Sequence, residues 1–246
     1  MEDELVKAYN DAAENFLLTR TKSTETTGFQ NRDVEQPTMF KLISNYLRGK
    51  KLLDIGCGPG IHLNEYIKRG AEGFGIDASK EMIRLAKKHC PEGKFFVQNI
   101  PDLKFKNNYF DIVTASFVLD HIKDLDKCVK EVNRILDKNG IFIFSVPHPI
   151  INMFRDSEKG KFIPSHSYYD NQPFYCNIAK TGKKFIDYAR QLQEYFEIPL
   201  RNNFILLDFQ ENQPDKSWQE RYANFNSNYL KAPFLCFFKW KKNNPR

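Results

Sequence analysis

Paired cysteines, long apolar runs and linkers are all missing from this 246-residue sequence. Its five cysteines are scattered and form no C-x-x-C pair, which argues against a disulfide framework and against a zinc site. No apolar run approaches the roughly 18 residues of a membrane span, and the first residues are acidic where a secretory signal would be basic. We therefore expect a cytoplasmic protein without a membrane partner. Because no linker interrupts the chain, we also expect one domain over residues 1–246.

Two common phosphate-binding patterns are missing as well. The dinucleotide pattern G-x-G-x-x-G, started at Gly56, needs glycine at position 61, where isoleucine stands. Started at Gly58, it needs glycine at position 63, where leucine stands. The phosphate-loop pattern G-x-x-x-x-G-K-[ST] does not occur either. The absence of both patterns argues against a dinucleotide-binding loop and against a phosphate-binding loop of the nucleoside-triphosphate type.

What the sequence does contain, between residues 50 and 146, is an alternation of short β-type runs with helical ones. Such alternation is typical of βαβ units and a parallel sheet. We predict strands at 51–55, 73–77, 94–98, 109–115 and 141–146, helices at 61–69 and 80–89, the second capped by Ser79, and a third helix from Leu125 that ends at Asn139-Gly140. We further predict helices at about 4–18 and 37–47, and late strands at 204–209 and 234–240. The stretch from 148 to about 184 fits no firm element.

The first strand runs into Leu52-Leu-Asp-Ile-Gly-Cys-Gly-Pro-Gly60, followed by a helix. Such a turn lies at the carboxyl ends of parallel strands, where open α/β sheets bind ligands. Glycine leaves room for a ligand close to the backbone. Asp77 ends the second strand, 23 residues after Asp54, where a carboxylate can accept hydrogen bonds from a ribose diol. Support of the turn before Ser79 is the structural alternative for Asp77.

The formal net charge is +6, and part of it lies in the C-terminal stretch Lys239-Trp-Lys-Lys242. A basic stretch could attract nucleic acid. We favour a solubilising tail, because no other basic run interleaves with aromatic residues.

The glycine loop, the Gly-Ile-Asp77 run and the run Phe-Asp111-Ile-Val-Thr-Ala-Ser116 together resemble the ordered motifs of class I S-adenosylmethionine-dependent methyltransferases, particularly the small-molecule type 11 group. The resemblance covers roughly residues 35–147. It implies an α/β, Rossmann-like three-layer sandwich with a seven-stranded, mostly parallel sheet in the order 3-2-1-4-5-7-6, whose last strand is antiparallel. It also implies N-terminal helices forming a lid over residues 1–48 and a substrate-side insertion at 148–190, after the fifth strand.

The resemblance further implies that S-adenosyl-L-methionine is the cofactor and S-adenosyl-L-homocysteine the product. Asp54 would organise the glycine loop or approach the cofactor's amino group, and Asp77 would hold the ribose hydroxyls. The implied cofactor residues are Tyr9, Asp54, Gly56, Cys57, Gly58, Gly60, Asp77, Ala78, Met82, Asn99, Ile100, Ser116, Phe117 and His121. No metal is implied.

A sulfonium methyl is already activated, so its transfer needs mainly a well-positioned nucleophile, and needs a general base only for a protonated acceptor. His148, His121 and His166 are the candidate bases, each with a structural alternative. The aromatic residues near the insertion suit an apolar or cationic small acceptor, although core packing explains most of them equally well. We therefore expect methyl transfer to a nitrogen, oxygen or carbon atom of a small molecule. An RNA or protein methyltransferase, and a non-catalytic cofactor-binding protein, remain as alternatives.

Overall fold

The computed structural model describes residues 2–22, 26–152, 167–169, 173–177, 184–222 and 227–244. Its strands are β1 (Lys51–Ile55), β2 (Glu72–Asp77), β3 (Lys94–Val97), β4 (Phe110–Ser116), β5 (Leu136–Pro147), β6 (Pro173–Asn177), β7 (Lys184–Tyr188), β8 (Phe204–Glu211) and β9 (Leu235–Lys242). Its α-helices are α1 (Glu2–Lys22), α2 (Thr26–Phe29), α3 (Gln36–Ile43), α4 (Ile61–Lys68), α5 (Lys80–His89), α6 (Leu125–Ile135), α7 (Pro149–Asn152), α8 (Leu192–Arg201) and α9 (Ser217–Arg221). A π-helical segment, Gln30–Glu35, joins α2 to α3, and a short 3-10 turn, Leu119–His121, follows β4.

Seven strands form one sheet in the order β3-β2-β1-β4-β5-β9-β8. The pairs from β3 to β5 are parallel, whereas β9 runs antiparallel to both β5 and β8. β6 and β7 form a separate antiparallel hairpin within the stretch inserted after β5. With this hairpin set aside, the order is 3-2-1-4-5-7-6 with an antiparallel last strand, so the fold implied by the resemblance is confirmed.

Side chains of the sheet alternate between two hydrophobic clusters. On β1, Leu52 belongs to the cluster under α3, α4 and α5, whereas its neighbour Leu53 belongs to the cluster under α6 and α8. Ile112 and Val113 of β4 divide in the same way. Strands that are apolar on both faces need helices on both faces, and the result is a three-layer sandwich.

Capping residues position two helices at the carboxyl edge of the sheet. Ser79 Oγ accepts a hydrogen bond from the Met82 backbone N–H at the start of α5, which confirms the predicted cap. Asp124 caps α6 in the same way through the Lys127 N–H. Because both helices begin at this edge, their free N–H groups and the strand ends face the same space.

The predicted end of the helix after β4 was wrong. α6 ends at Ile135, and Asn139-Gly140 lie inside β5. Leu136 adopts an extended conformation and pairs with Phe110 of β4, so its burial comes from the sheet and not from the helix face. An apolar residue that directly follows the apolar face of a helix can belong to the helix or to the next strand. Here the pairing with Phe110 places Leu136 in the strand.

The basic C-terminal stretch is part of the fold and not a tail. Lys239, Trp240 and Lys242 lie in β9, and Trp240 is fully buried. The ammonium group of Lys242 donates to the backbone oxygens of Asn133 and Leu136 and to the Asn108 side chain, at 2.7–2.9 Å. Lys239 likewise donates to the backbone oxygen of Leu42, so both lysines bond to the chain's own backbone.

In the part of the chain that the structure describes, no helix combines the length and apolar character needed to cross a membrane.

Candidate functional site

The loop after β1 is held in place by the carboxylate that ends β2. Asp77 Oδ2 accepts the Gly58 N–H at 3.0 Å, and its Oδ1 accepts the Ser79 N–H at 2.8 Å. Burial raises the pKa of Asp77, while these backbone hydrogen bonds oppose the rise. Asp77 thus performs the turn-supporting role that the sequence left as its alternative, and it also faces the cavity described below.

Gly56 cannot carry a side chain in this loop. Its φ is +65°, and a Cβ atom there would lie 2.5 Å from Cγ2 of Val118. Gly60 has a different neighbourhood, because a Cβ atom there would approach Phe95 and Ala86 at 3.2–3.3 Å. Gly60 therefore packs against β3 and α5, outside the cavity lining.

A cavity of about 500 Å³ lies over the carboxyl ends of β1, β2 and β4. This volume falls within the roughly 300–1,000 Å³ of small-molecule sites. All the predicted cofactor residues except Gly60 line it: Tyr9, Asp54, Gly56, Cys57, Gly58, Asp77, Ala78, Met82, Asn99, Ile100, Ser116, Phe117 and His121. The strand ends and α1 together bring into one cavity residues that lie up to 112 positions apart in sequence.

Asp54 is a buried acid at the floor of this cavity. Its side chain is 2% exposed, and Oδ1 accepts the Thr114 hydroxyl at 2.7 Å. Burial raises the pKa of Asp54 to about 6, although His62 and the Thr114 hydrogen bond act in the opposite direction. Because this value still lies below 7, the Asp54 carboxyl is mostly ionised at neutral pH.

The first helix closes one side of the cavity. Leu5, Tyr9 and Phe16 of α1 line it, and Asn10 Oδ1 accepts hydrogen bonds from the Ser79 hydroxyl and the Glu81 N–H. α1 therefore lies across the start of α5, directly over the predicted ribose site.

The hairpin strand β7 closes another side, through a hydrogen-bonded chain of three residues. His121 lies between Tyr9 of α1 and Asp187 of β7: its Nε2 is 2.9 Å from the Tyr9 hydroxyl, and its Nδ1 is 2.5 Å from Asp187 Oδ1. Burial disfavours the imidazolium, but the carboxylates of Asp120 and Asp187 outweigh it and raise the pKa of His121 to about 9. The protonated ring donates to both partners.

The groups of Asp120, His121 and Asp187 also lie within metal-binding distance, with their ligand atoms within 4.8 Å of one another. However, Tyr9 and Asp187 already engage both ring nitrogens of His121. A metal ion would have to displace one of these hydrogen bonds and remove a proton, so the chemistry of this group favours a hydrogen-bonded chain.

The other two candidate bases are placed differently. His148 does not line the cavity: its Nε2 lies 2.8 Å from Glu211 Oε1, and its Nδ1 accepts the Ile150 N–H at 3.1 Å. Burial lowers the pKa of His148 despite the Glu211 contact. His166 lies outside the described residues, as do Phe154 and Phe162 among the aromatic residues near the insertion.

Three polar residues that the sequence analysis missed lie at the inner end of the cavity. Arg20 of α1 and His62 of α4 line it, and Glu35 is fully buried behind His62. The one available signal was the polar His62 directly after the glycine loop, at the start of a helix. Glu35 lies 27 residues before His62, and no local sequence pattern indicates that the two side chains are in contact.

Comparison with known proteins agrees with this architecture. A family model described as "Methyltransferase domain", of the type 11 group, matches residues 53–144. An uncharacterized protein of Haemophilus influenzae is 36% identical over 227 residues, which cover 86% of this chain and 88% of the relative. A ubiquinone biosynthesis O-methyltransferase of Pelagibacter ubique is 35% identical over 102 residues, but the match spans only 40% of this chain and 42% of that enzyme.

Among solved structures, a Listeria monocytogenes protein described as an S-adenosylmethionine-dependent methyltransferase superposes with a TM-score of 0.71 at 24% identity. The superposition covers 85% of this chain and 98% of that one, and it shows the common fold. The family match, the sheet order and the cavity at the glycine loop agree, and the chain belongs to the class I methyltransferase family, an enzyme family whose cofactor is S-adenosylmethionine.

Proposed function

We propose that the protein transfers the methyl group of S-adenosylmethionine to a nucleophilic nitrogen, oxygen or carbon atom of a small molecule. The observation that carries this proposal is the cavity of about 500 Å³ over the strand ends, closed by α1 and β7. A cavity covered from two sides suits a small acceptor better than a polymer, because a polymer needs an open groove.

The residues of the cavity fit the cofactor chemically. Asp77 offers a half-buried carboxylate to the ribose hydroxyls, and Ala78, Met82 and Ile100 offer apolar surface to the adenine ring. The glycine loop approaches without side chains, and Ser116 and Phe117 lie at the end of β4 for the methionine moiety. We propose these residues, with Asn99 nearby, as the cofactor site.

Catalysis then depends mainly on how the protein positions the acceptor relative to the cofactor. When bound, the cofactor supplies a methyl group that is already activated for in-line attack, so the protein must hold the acceptor close and exclude water. Phe117 adopts a left-handed φ of +52°, which costs a non-glycine residue roughly 1–3 kcal/mol. We propose that this conformation aims the Phe117 ring into the cavity, where it limits the space beside the methionine moiety.

His121 is suited to closing the site and poorly suited to acting as a base. With its pKa raised to about 9, it already carries a proton at neutral pH. A general base must accept a proton at the working pH. We therefore propose that His121 holds α1 and β7 together over the cavity, with Tyr9 as its partner in the lid of residues 1–48.

The acceptor is the least constrained part of the proposal. The ubiquinone biosynthesis enzymes methylate oxygen, and this supports an oxygen acceptor only weakly, because their match covers less than half of this chain. The RNA or protein alternative loses its main support, since the lysines of β9 bond to the chain's own backbone.

The test is transfer of a labelled methyl group to panels of amines, phenols, carboxylates and RNA, with product detection by scintillation and mass spectrometry. We expect transfer to at least one small-molecule class and none to RNA. The matched control is the Asp77→Ala variant, which should lose transfer in parallel with cofactor affinity. Transfer to RNA alone would contradict a small acceptor, and transfer to neither by a cofactor-binding protein would favour the non-catalytic alternative.

A further inference from the structure

A buried arginine follows the hairpin strand β7. Arg190 lies between the end of β7 and the start of α8, and only 7% of it is exposed. Its Nη1 donates to the backbone oxygen of Leu119 at 3.1 Å. Its Nη2 donates to the backbone oxygen of Lys123 at 3.2 Å and to that of Ile122. One guanidinium thus bonds three carbonyl groups of the turn that follows β4.

The carbonyl groups of this turn need donors from another part of the chain. Ile122 and Lys123 lie between the short 3-10 turn and α6, and the hydrogen bonds of a helix leave the carbonyls before its N-cap unused. A carbonyl group that is shielded from water and has no donor costs free energy. A guanidinium presents five N–H groups in one plane, so it can serve several carbonyls at once. The conformation of the turn therefore depends on Arg190.

The same turn forms part of the cavity. Val118, His121 and Ile122 line it. Val118 also packs against the glycine loop, because its Cγ2 lies 2.5 Å from the position of a Cβ atom on Gly56. The His121 N–H donates to the Val118 backbone oxygen at 3.1 Å. A displaced turn would therefore move both His121 and the side chain that contacts the glycine loop.

Arg190 also contacts the wall of the cavity that β7 provides. Its guanidinium carbon lies 5.8 Å from the ring centroid of Tyr188, within cation–π distance. Tyr188 and Ile186 line the cavity, and Asp187 between them bonds Nδ1 of His121. Arg190 is thus in contact with the turn on one side and with β7 on the other.

We propose that Arg190 is a positioning residue for methyl transfer, which fixes β7 against the turn after β4 so that Asp187 meets His121 and Tyr188 faces the acceptor. Arg190 does not line the cavity, so it acts through these neighbours. The inference rests on the proposed function, because it assigns the space beside Tyr188 to the acceptor. It adds to the closure by His121 a second, permanently charged connection between the same two segments.

The alternative is an arginine that only packs α8. Arg190 lies beside the Tyr195 hydroxyl of that helix, where it opposes the rise that burial causes in the pKa of Tyr195. Loss of such packing would lower the stability of the whole protein. It would leave the ionisation of His121 unchanged in the molecules that remain folded.

The ionisation of His121 reports how β7 is docked. The groups that face it include Asp120 of the same turn, Asp187 of β7, Asp77 of β2 and Tyr9 of α1. Asp120 moves with the turn, whereas the Asp187 contact requires β7 in place. Loss of that contact lowers the pKa of His121. Removal of a positive charge favours a protonated neighbour, so the charge of Arg190 alone acts in the opposite direction.

The experiment follows the ring signals of His121 by nuclear magnetic resonance from about pH 5 to about pH 11, with His121→Gln to assign them. In Arg190→Met we expect the pKa of His121 to fall from about 9 toward 6.5, without reaching it because Asp120 stays in place. Dissociation of S-adenosylhomocysteine, measured by stopped flow, should quicken by roughly tenfold, the scale of one lost hydrogen bond to a charged group.

Two further variants separate geometry from charge and from substitution in general. Arg190→Lys keeps the charge but loses the planar fork, so both readouts should lie between those of the wild type and of Arg190→Met. Arg201→Met removes another arginine of α8, which donates to Asp126 of α6 at 2.8 Å and does not line the cavity. Both readouts should keep their wild-type values in this control.

An unchanged or raised pKa of His121 in folded Arg190→Met would overturn the proposal, because β7 would then be docked without the arginine. If Arg190→Met does not fold, Arg190→Lys decides, and wild-type values of both readouts in that variant would overturn the proposal. A wild-type protein that does not bind S-adenosylhomocysteine would contradict the proposed function instead. The titration of His121 needs no ligand, so it would still decide the role of Arg190.

Discussion

The hydroxyl of Tyr9 lies 2.9 Å from Nε2 of His121, although the two residues are 112 positions apart. This contact joins α1 to the turn after β4, and the Nδ1 contact with Asp187 extends it to the hairpin. Two segments outside the βαβ core are thus fixed over the cavity by one imidazole. Closure of the site and the ionisation of His121 are therefore linked.

Removing the Tyr9 hydroxyl tests the closure by α1. We expect Tyr9→Phe to lower the free energy of unfolding by about 0.5–1.5 kcal/mol, the usual value of one hydrogen bond, and to raise the dissociation rate of S-adenosylhomocysteine. Hydrogen exchange over residues 2–22 should quicken. Tyr46→Phe, on the exposed side of the fold, is the control. If exchange in the first helix stays unchanged, Tyr9 is no part of the closure.

The ionisation of His121 predicts how stability depends on pH. Its pKa is raised in the folded state to about 9, from an unfolded value near 6.5, so its contribution is fully present below about pH 6.5 and is lost as the pH rises through 9. The size is on the order of 3 kcal/mol. Urea unfolding at pH 6 and at pH 9.5 should show this loss in the wild type and a much smaller one in His121→Gln. Equal pH dependence in both proteins would mean that His121 is not protonated in the fold.

His148 is expected to act on stability and not on the cofactor. Both its ring nitrogens contact residues of the chain, outside the cavity lining. We expect His148→Ala to cost about 1–3 kcal/mol of unfolding free energy, because it leaves partners unsatisfied, and to change cofactor affinity by less than about twofold. A stable variant that binds the cofactor normally but loses methyl transfer would instead support His148 as a base.

Two glycines with similar backbone angles separate the effect of a side-chain clash from the effect of backbone strain. Gly56 and Gly49 have φ values of +65° and +72°, but an added Cβ atom meets Val118 at 2.5 Å in the first and nothing within 4 Å in the second. Gly49→Ala should cost about 1 kcal/mol, as a left-handed alanine does. Gly56→Ala should cost more and also abolish cofactor binding, as thermal unfolding and calorimetry would show. Equal costs in the two variants would contradict the tight packing of the loop.

The cofactor half of the fold could be predicted because local patterns define it. β1, β2 and α5 have apolar or capping signals that do not depend on distant partners, and their predicted limits agree with the structure to within about one residue. The fold class followed from the alternation of these elements. The same logic failed at Leu136, where a strand partner overrides the helical spacing.

Residues whose roles depend on partners distant in sequence could not be predicted from the sequence. Glu35 lies in a polar segment with no periodic signal, and its role depends on hydroxyls of β4 and β5 that arrive only in the folded state. Likewise, α8 was missed: it contains Pro199 and carries a short apolar face that packs against the sheet. Arg20 is indistinguishable in sequence from a surface arginine of an exposed helix.

Calorimetry of the wild-type protein and of Asp77→Ala, with S-adenosylmethionine and with NAD, tests the central claim most directly. The account predicts that the wild type binds S-adenosylmethionine and not NAD, and that Asp77→Ala weakens this binding by about 1–3 kcal/mol, whereas Asp102→Ala, at an exposed carboxylate, does not. Binding of NAD without S-adenosylmethionine, or a folded Asp77→Ala variant with unchanged affinity, would contradict it.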